Sequence, residues 1–424
     1  MKLGVSLGAI HDSAERSPFS LKFLRNTRKD VRQIILDWIH SESSASSFFW
    51  LYGSAGAGKT AILQAIADFL SESYENFGGS FFFSRGKKGR DKGHFLFSTI
   101  AYQLALKVPR LRQHINRIME SDPMLHTKSM SVQFQTLIVD AFKCLSPLPQ
   151  RPYLVIIDGL DECHDKATQQ LILQFLCETI TVHKLPLRFL IGCRPESHIR
   201  DSFDQESLYT VTRQVSLDER FDSGRDIQLY LRHGFAEIAR NSKLPVEHPW
   251  PGEDIVDLLV QRSSGQFIYA ATVLRFVGAD FCSPLKQLAV VLKSDPTVPS
   301  DLDQLYYQIL SEYPSEVNIV HVLGIISVSH GELAEVMEDI FGMEEGKLKL
   351  VLRGLSSLVV DRNKESGERM NTGTTSYVIP HFAHASFGDY LFNPIRSGPF
   401  YVNRQEYENQ VTIRSFALIK QSIR

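Results

Sequence analysis

Little in this sequence ties it to a membrane, a disulfide scaffold or a nucleic acid. Its five cysteines, Cys144, Cys163, Cys177, Cys193 and Cys282, are widely spaced and never form C-x-x-C. That excludes a paired-cysteine zinc site and argues against a disulfide framework; it points to reduced, mostly buried thiols in a cytoplasmic setting. No stretch approaches the ~18 consecutive apolar residues that a membrane-spanning helix needs. Residues 1–10 imitate a secretory signal, but Gly4, Ser6 and Gly8 dilute the apolar run, and His11 and Asp12 end it without a small-residue cleavage site. Charge is balanced, with 46 Lys and Arg against 48 Asp and Glu, so no general electrostatic pull toward nucleic acid is expected. No internal repeat of roughly 20–50 residues is present.

What is there reads as an ordinary folded chain, 43% hydrophobic and 22% charged, whose 424 residues exceed a single core. Residues 1–24 read as a linker. Residues 27–40 (TRKDVRQIILDWIH) carry Val31, Ile34, Ile35 and Trp38 at helical spacing. An apolar run at 48–52 (FFWLY) then breaks into glycines, as a buried strand does on entering a loop. Further strands are expected at 80–84, 153–157, 187–193 and 208–215, with helices at 60–70, 96–107, 132–144 and 169–182 between them. Strands that are continuous apolar runs and alternate with helices imply a parallel sheet covered on both faces. Lys87, Lys88, Arg90 and Lys92 form a basic loop, read as a solvated turn.

After residue 216 the strand signals stop. Helices are expected at 222–240, 252–261, 266–277 and 285–292, and a boundary at Pro296 and Pro299. Helices at 301–311, 316–327, 332–341 and 347–356 follow. A strand pair at 358–361 and 376–380 then leads into a helix from about His384. The division expected is a P-loop domain at 25–215, a helical domain at 216–296, a winged-helix domain at 297–400 and a tail at 401–424. The fold class is α/β, a P-loop NTPase with a five-stranded parallel sheet, followed by the two smaller domains.

The chemistry concentrates in three places. Gly53, Ser54, Ala55, Gly56, Ala57, Gly58, Lys59 and Thr60 match G-x-x-x-x-G-K-[ST], with a strand before and a helix after. Such a loop points its backbone N–H groups at phosphate oxygens; Lys59 reaches the terminal phosphates and Thr60 ligates Mg²⁺. Asp158 ends an apolar strand and is the second metal-holding residue. Many P-loop ATPases follow that Asp with a catalytic Glu, but here the slot holds Gly159, and Asp161 and Glu162 come later. Either acid is a candidate to position the attacking water, although Glu162 also reads as a surface acid capping a turn. Hydrolysis is therefore expected to be slow. Arg194, just past the fourth strand, is a candidate γ-phosphate sensor or the partner of a neighbouring acid.

The ordered set GSAGAGKT, then an apolar strand running into DGLDEC, then one running into CRPE, resembles the NACHT branch of the signal-transduction ATPases, the fungal NACHT proteins above all. Residues 81–85 (FFFSR), 99–104 (TIAYQL), 186–191 (PLRFLI) and 265–270 (GQFIYA) agree with it, and the resemblance spans about 27–397. It implies that Thr27 and Arg28 lie on the adenine side, where Asn26 replaces the usual Gly. It also implies that His384, in FAHASFGDYL, reaches the diphosphate and holds a closed, ADP-loaded form. An effector domain and a repeat array normally flank this core, so the chain is expected to be a minimal variant or a truncated gene product.

The expectation is a cytoplasmic nucleotide switch of signalling type, akin to heterokaryon incompatibility or innate immunity. It would cycle between closed ADP and open, self-associating ATP states with Mg²⁺, GTP being left open, and act on an unnamed signalling partner. The alternative is a conventional ATPase or GTPase enzyme or motor. A nucleic-acid binder is disfavoured, since 332–341 is acidic and 347–356 offers only Lys347, Lys349 and Arg353.

Overall fold

The computed structural model describes residues 4–14, 27–41, 46–87, 89–145, 147–221, 223–242, 249–279, 282–293, 301–313, 318–329, 334–344, 346–361 and 380–422. Compact unit one comprises Met1–Phe23, Arg28–Ser54 and Gly58–Phe221; unit two comprises Leu24–Thr27, Ala55–Ala57 and Asp222–Arg424.

Unit one is built on five parallel strands, β1 (Phe48–Tyr52), β2 (Phe77–Phe82), β3 (Tyr153–Asp158), β4 (Leu187–Cys193) and β5 (Thr212–Ser216), in the order β2-β3-β4-β1-β5. Every residue of β2 and β4 is buried; β4 (LRFLIGC) is apolar but for Arg188, whereas β2 (FGGSFF) begins at Phe77, ahead of the expected 80–84, because Gly78 and Gly79 interrupt its apolar run. Helix Lys59–Ser73 turns Ile62, Leu63, Ile66, Ala67 and Leu70 inward, the repeat that lays one helical stripe on a sheet. In the core Trp50 stacks on Phe203 with ring centroids 4.2 Å apart and points its indole N–H at Cys193 Sγ, 3.1 Å away.

Several expectations shift. Residues 4–14, expected within a linker, pack into unit one: Gly8, Ala9 and Ile10 are buried, Ser6 N donates to Thr99 Oγ1 and Gln64 Nε2 to His11 O. The fifth strand starts at Thr212, because residues Glu206–Tyr209 form a short helix. The helix expected at 132–144 runs through Met130–Phe134, a π-helical stretch Gln135–Asp140 and Ala141–Lys143. In the basic loop Arg90 is buried, its Nε donating to Phe82 O, so that loop is only partly a solvated turn. Helix Pro109–Ser121 was not anticipated, although Leu111, Ile115 and Met119 line its buried face and Pro sits at its first position.

Unit two carries one hydrophobic core, fed by helices from Gly224–Asn241 through Lys347–Gly354 and by Ala385–Leu391. The expected helical domain at 216–296 and the domain at 297–400 thus share a core, and residues 216–221 belong to unit one. Val359–Asp361 (β6) pairs antiparallel with Pro380–Phe382 (β7). The expected strand residues 376–379, the boundary prolines 296 and 299, and Asn26 lie outside the described residues. Residues 401–424, expected as a tail, contain helix Arg404–Ser422, whose Tyr407 packs on Gly324, leaving no room there for a Cβ.

Among the described residues the outer strand β2 meets no further strand at Ser80. Instead the Gln103 amide takes the strand's place: Ser80 N donates to Gln103 Oε1 at 2.9 Å, and Gln103 Nε2 donates to Ser80 O at 2.8 Å. Gly79, at φ 149°, leaves the space that Gln103 fills. Replacing Gln103 with Leu keeps the volume and strands a buried N–H and C=O, each costing about 1–3 kcal/mol. Denaturant unfolding of Gln103→Leu should show a loss of roughly 2–4 kcal/mol; a loss below about 0.5 kcal/mol would refute the pairing's role.

Candidate functional site

Register places the site. Tyr52 of β1 lies beside Cys193 of β4, and Asp158 of β3 lies beside Gly192 of β4. The residues that follow each strand, Gly53 after β1 and Arg194 after β4, therefore emerge with Asp158 at one carboxyl edge of the sheet, where ligands of open α/β sheets bind.

The loop after β1 reverses through Gly56 (φ 77°) and Gly58 (φ 96°), both left-handed, a conformation glycine adopts without steric cost. Gly58 is also the N-cap of helix Lys59–Ser73 and has no side chain to satisfy the helix's first amides. Those amides and the helix dipole suit an anion. Lys59 is buried, its Nζ donating to Gly53 O at 2.7 Å and Ser54 O at 2.8 Å. Withdrawal from water pulls its ammonium below the usual lysine range, opposed by the nearby carboxylates of Asp161 and then Asp158. An incoming phosphate would draw this ammonium off the two carbonyls. Thr60 is exposed one residue on. Loop, buried lysine and helix start together fit a phosphate chain, and Thr60 with Asp158 would hold its Mg²⁺.

Asp158 is buried, and its neighbour on β4 has to be glycine: a Cβ on Gly192 would lie 2.8 Å from Asp158 Oδ1. Gly159 turns left-handed at φ 69°, and a Cβ there would sit 3.2 Å from Phe83 O. The turn that follows separates the two later acids. Asp161 is committed to Arg194: its Oδ1 accepts from Arg194 N at 3.0 Å, and its Oδ2 lies 3.2 Å from Arg194 Nε. The salt bridge expected as one role of Arg194 is present. Glu162 instead accepts from Arg85 N at 3.1 Å. Withdrawal from water, and secondarily the Asp161 carboxylate, push Glu162 above the usual carboxylate range.

The sequence reading missed the residues that hold this turn. Arg85 Nη2 donates to Asp161 O. Buried Gln169 donates through Nε2 to the carbonyls of Cys163 (2.7 Å) and Asp161 (3.4 Å), and its Oε1 lies 2.6 Å from His198 Nε2. With the amide nitrogen donating, the oxygen accepts, and that assigns His198 its Nε2–H tautomer. A polar Gln on the inward face of an otherwise apolar helix was the one available signal.

Of the other expected site residues, Arg28 is buried and left-handed (φ 52°) at the N-cap of helix Lys29–His40, and Thr27 is buried. His384 belongs to unit two, where it N-caps helix Ala385–Leu391. Its Nδ1 accepts from Ser386 N at 3.1 Å and lies 2.7 Å from Ser386 Oγ, itself 2.9 Å from the buried Tyr306 hydroxyl.

A family described as nephrocystin 3, N-terminal, matches residues 31–194. The vegetative incompatibility protein HET-E-1 of Podospora anserina is 24% identical over 361 residues, an alignment covering 81% of this chain. The chain spans only 24% of that relative's length. Among solved structures, that of Drosophila ORC bound to DNA is 13% identical, over 89% of this chain and 90% of that one, with a TM-score of 0.36; the likeness is too loose to argue from. Among the described residues no helix is long and apolar enough to cross a membrane.

Lys59→Ala removes the cation at the head of the loop and little packing. Titration with a fluorescent nucleotide should show affinity reduced at least about ten-fold, with the melting temperature nearly unmoved. Equal affinity in the two proteins would reject the phosphate site.

Proposed function

Since the chain is a NACHT-type P-loop nucleotide-binding protein of the fungal kind, we propose that it works as a signalling switch set by adenine nucleotide. What carries the reading is the assembly at one sheet edge of Lys59, Asp158 and the Arg194–Asp161 pair, beside a glycine where a hydrolytic enzyme keeps its glutamate. In this reading ADP with Mg²⁺ holds a closed form and ATP an open one that self-associates. GTP is the other nucleotide the phosphate-reading groups would accept, since they do not read the base. Thr27 and Arg28 serve the adenine side, and the part of unit two that includes β6, β7 and His384 acts as a winged-helix sensor. The relative named for vegetative incompatibility suggests the class of output, a self/non-self signal passed to a protein partner.

Hydrolysis follows the same geometry. Asp161 already holds Arg194, which leaves Glu162 as the one nearby base, displaced from its customary position and tied to Arg85 N. A steady-state assay should give turnover well below the roughly 10 s⁻¹ typical of enzymes. Tens of turnovers per second would favour the conventional ATPase reading instead.

The sensor role of His384 is compatible with its cap. Nδ1 accepts from Ser386 N, so the neutral ring carries its proton on Nε2, the nitrogen a phosphate oxygen would use. One hydrogen bond to a charged group contributes about 1.5–3 kcal/mol, a bias of about ten- to a hundred-fold between two states. His384→Asn keeps a good capping side chain and removes the Nε2–H, so it should release ADP faster by a factor in that range. ATP release and melting temperature should change little. Equal acceleration of ADP and ATP release would rule out a diphosphate sensor.

A further inference from the structure

An acid that the reading above does not use lies across the start of the phosphate loop. Ser216 of β5 stands beside Tyr52 of β1, so the two chains leave the sheet together, and Leu217 and Asp218 run alongside Gly53 and Ser54. Asp218 Oδ2 accepts from Ser54 N at 2.6 Å, and Oδ1 accepts from Ser54 Oγ at 3.1 Å. A Cβ on Gly53 would lie 3.3 and 3.4 Å from the two carboxylate oxygens, so the first glycine of the loop is what lets the carboxylate come so close. The carbonyl of the same Ser54 accepts from Lys59 Nζ at 2.8 Å. One residue thus separates a carboxylate from the ammonium that would reach the terminal phosphates.

Phosphate loops work by presenting donors to an anion. Here one of the loop's own amides is already taken by a negative group. When a nucleotide draws Lys59 away from Gly53 O and Ser54 O, two carbonyl oxygens and the Asp218 carboxylate remain at that end of the loop. The penalty falls harder on a triphosphate than on a diphosphate, since the γ-phosphate adds negative charge at the end of the chain that Lys59 serves. We propose that Asp218 is a specificity-determining residue that biases this P-loop toward the nucleoside diphosphate. The proposal rests on the nucleotide reading and adds to it a discriminator inside unit one, independent of His384. Asp218 is exposed, so its field is partly screened, and a preference of about three- to ten-fold is the size expected of a screened pair of charges some ångströms apart.

The test uses the full chain with Mg²⁺, ADP and a non-hydrolysable ATP analogue, titrated at low and at high salt. Asp218→Asn keeps an acceptor for Ser54 N and removes the charge; Asp218→Ala removes both. Each variant should gain affinity for the ATP analogue relative to ADP by about three- to ten-fold at low salt. The gain should shrink at ~1 M salt, where the Debye length falls to about 3 Å. If Asp218→Asn matches wild type while Asp218→Ala weakens both nucleotides alike, Asp218 is a structural cap and the proposal falls. If wild-type protein binds neither nucleotide, the nucleotide reading itself falls. If wild type binds both and neither variant moves the ratio, only the role of Asp218 is lost.

Discussion

The site depends on β4 lying between β1 and β3. Because Tyr52 pairs with Cys193 and Asp158 with Gly192, the phosphate loop and the metal-side acid each emerge one strand spacing from Arg194, on either side of β4. A slip of one residue in β4 would turn its apolar side chains to the opposite face. It would also put a side chain where Gly192 leaves space for Asp158. The sheet's register and the site's geometry are thus one constraint: the aromatic packing that fixes the strands, Trp50 on Phe203 and Phe48 on Phe189, also fixes the distances between the chemical groups.

Charge at that edge is kept in near balance. Lys59 and Arg194 face Asp158 and Asp161, with Glu162 and Arg85 behind them. Burying a lone charge is costly, so each of these groups has a hydrogen bond or an opposite neighbour. Lys59 on its two carbonyls is the group least committed to another charge, and so the one a phosphate would most readily recruit. The Asp161–Arg194 contact is made through both backbone N–H and guanidinium, a geometry that aims the side chain as well as neutralising it.

Much of unit one was legible because β1, β3 and β4 are largely apolar on both faces. FFWLY and LRFLIGC mark β1 and β4 to the residue, and the glycines and lysine between β1 and the next helix match the pattern of a phosphate-binding loop. The rest was illegible for specific reasons. Residues 4–14 are polar and glycine-bearing, and only tertiary contacts with Thr99, Gln64 and Ser80 reveal that they belong to the fold. Leu208 looked like a strand residue because it is buried, but it is buried from a short helix. One shared core in unit two cannot be read from a proline-rich boundary, since periodicity reports which face of a helix is covered and not by which neighbour. The partners of Asp218 and Gln169 were invisible for the same reason: each acts through a contact distant in sequence, Asp218 with Ser54 and Gln169 with His198.

Gly159 shows how backbone geometry constrains which side chain can follow the acid at the end of β3. The residue after Asp158 turns left-handed, and any side chain there would press on the Phe83 carbonyl at the end of β2. An L-residue in that conformation costs on the order of 1 kcal/mol before any clash is counted. A glutamate directly after the metal-side acid is therefore disfavoured in this turn, and the acids appear only once the chain has reversed. By then Asp161 faces Arg194 and Glu162 faces Arg85, each held by a partner that makes the turn rigid. Rigidity of that kind favours recognising a phosphate over turning one over. Under the proposed switch reading, a turn that disfavours the glutamate would leave a bound triphosphate unhydrolysed for longer.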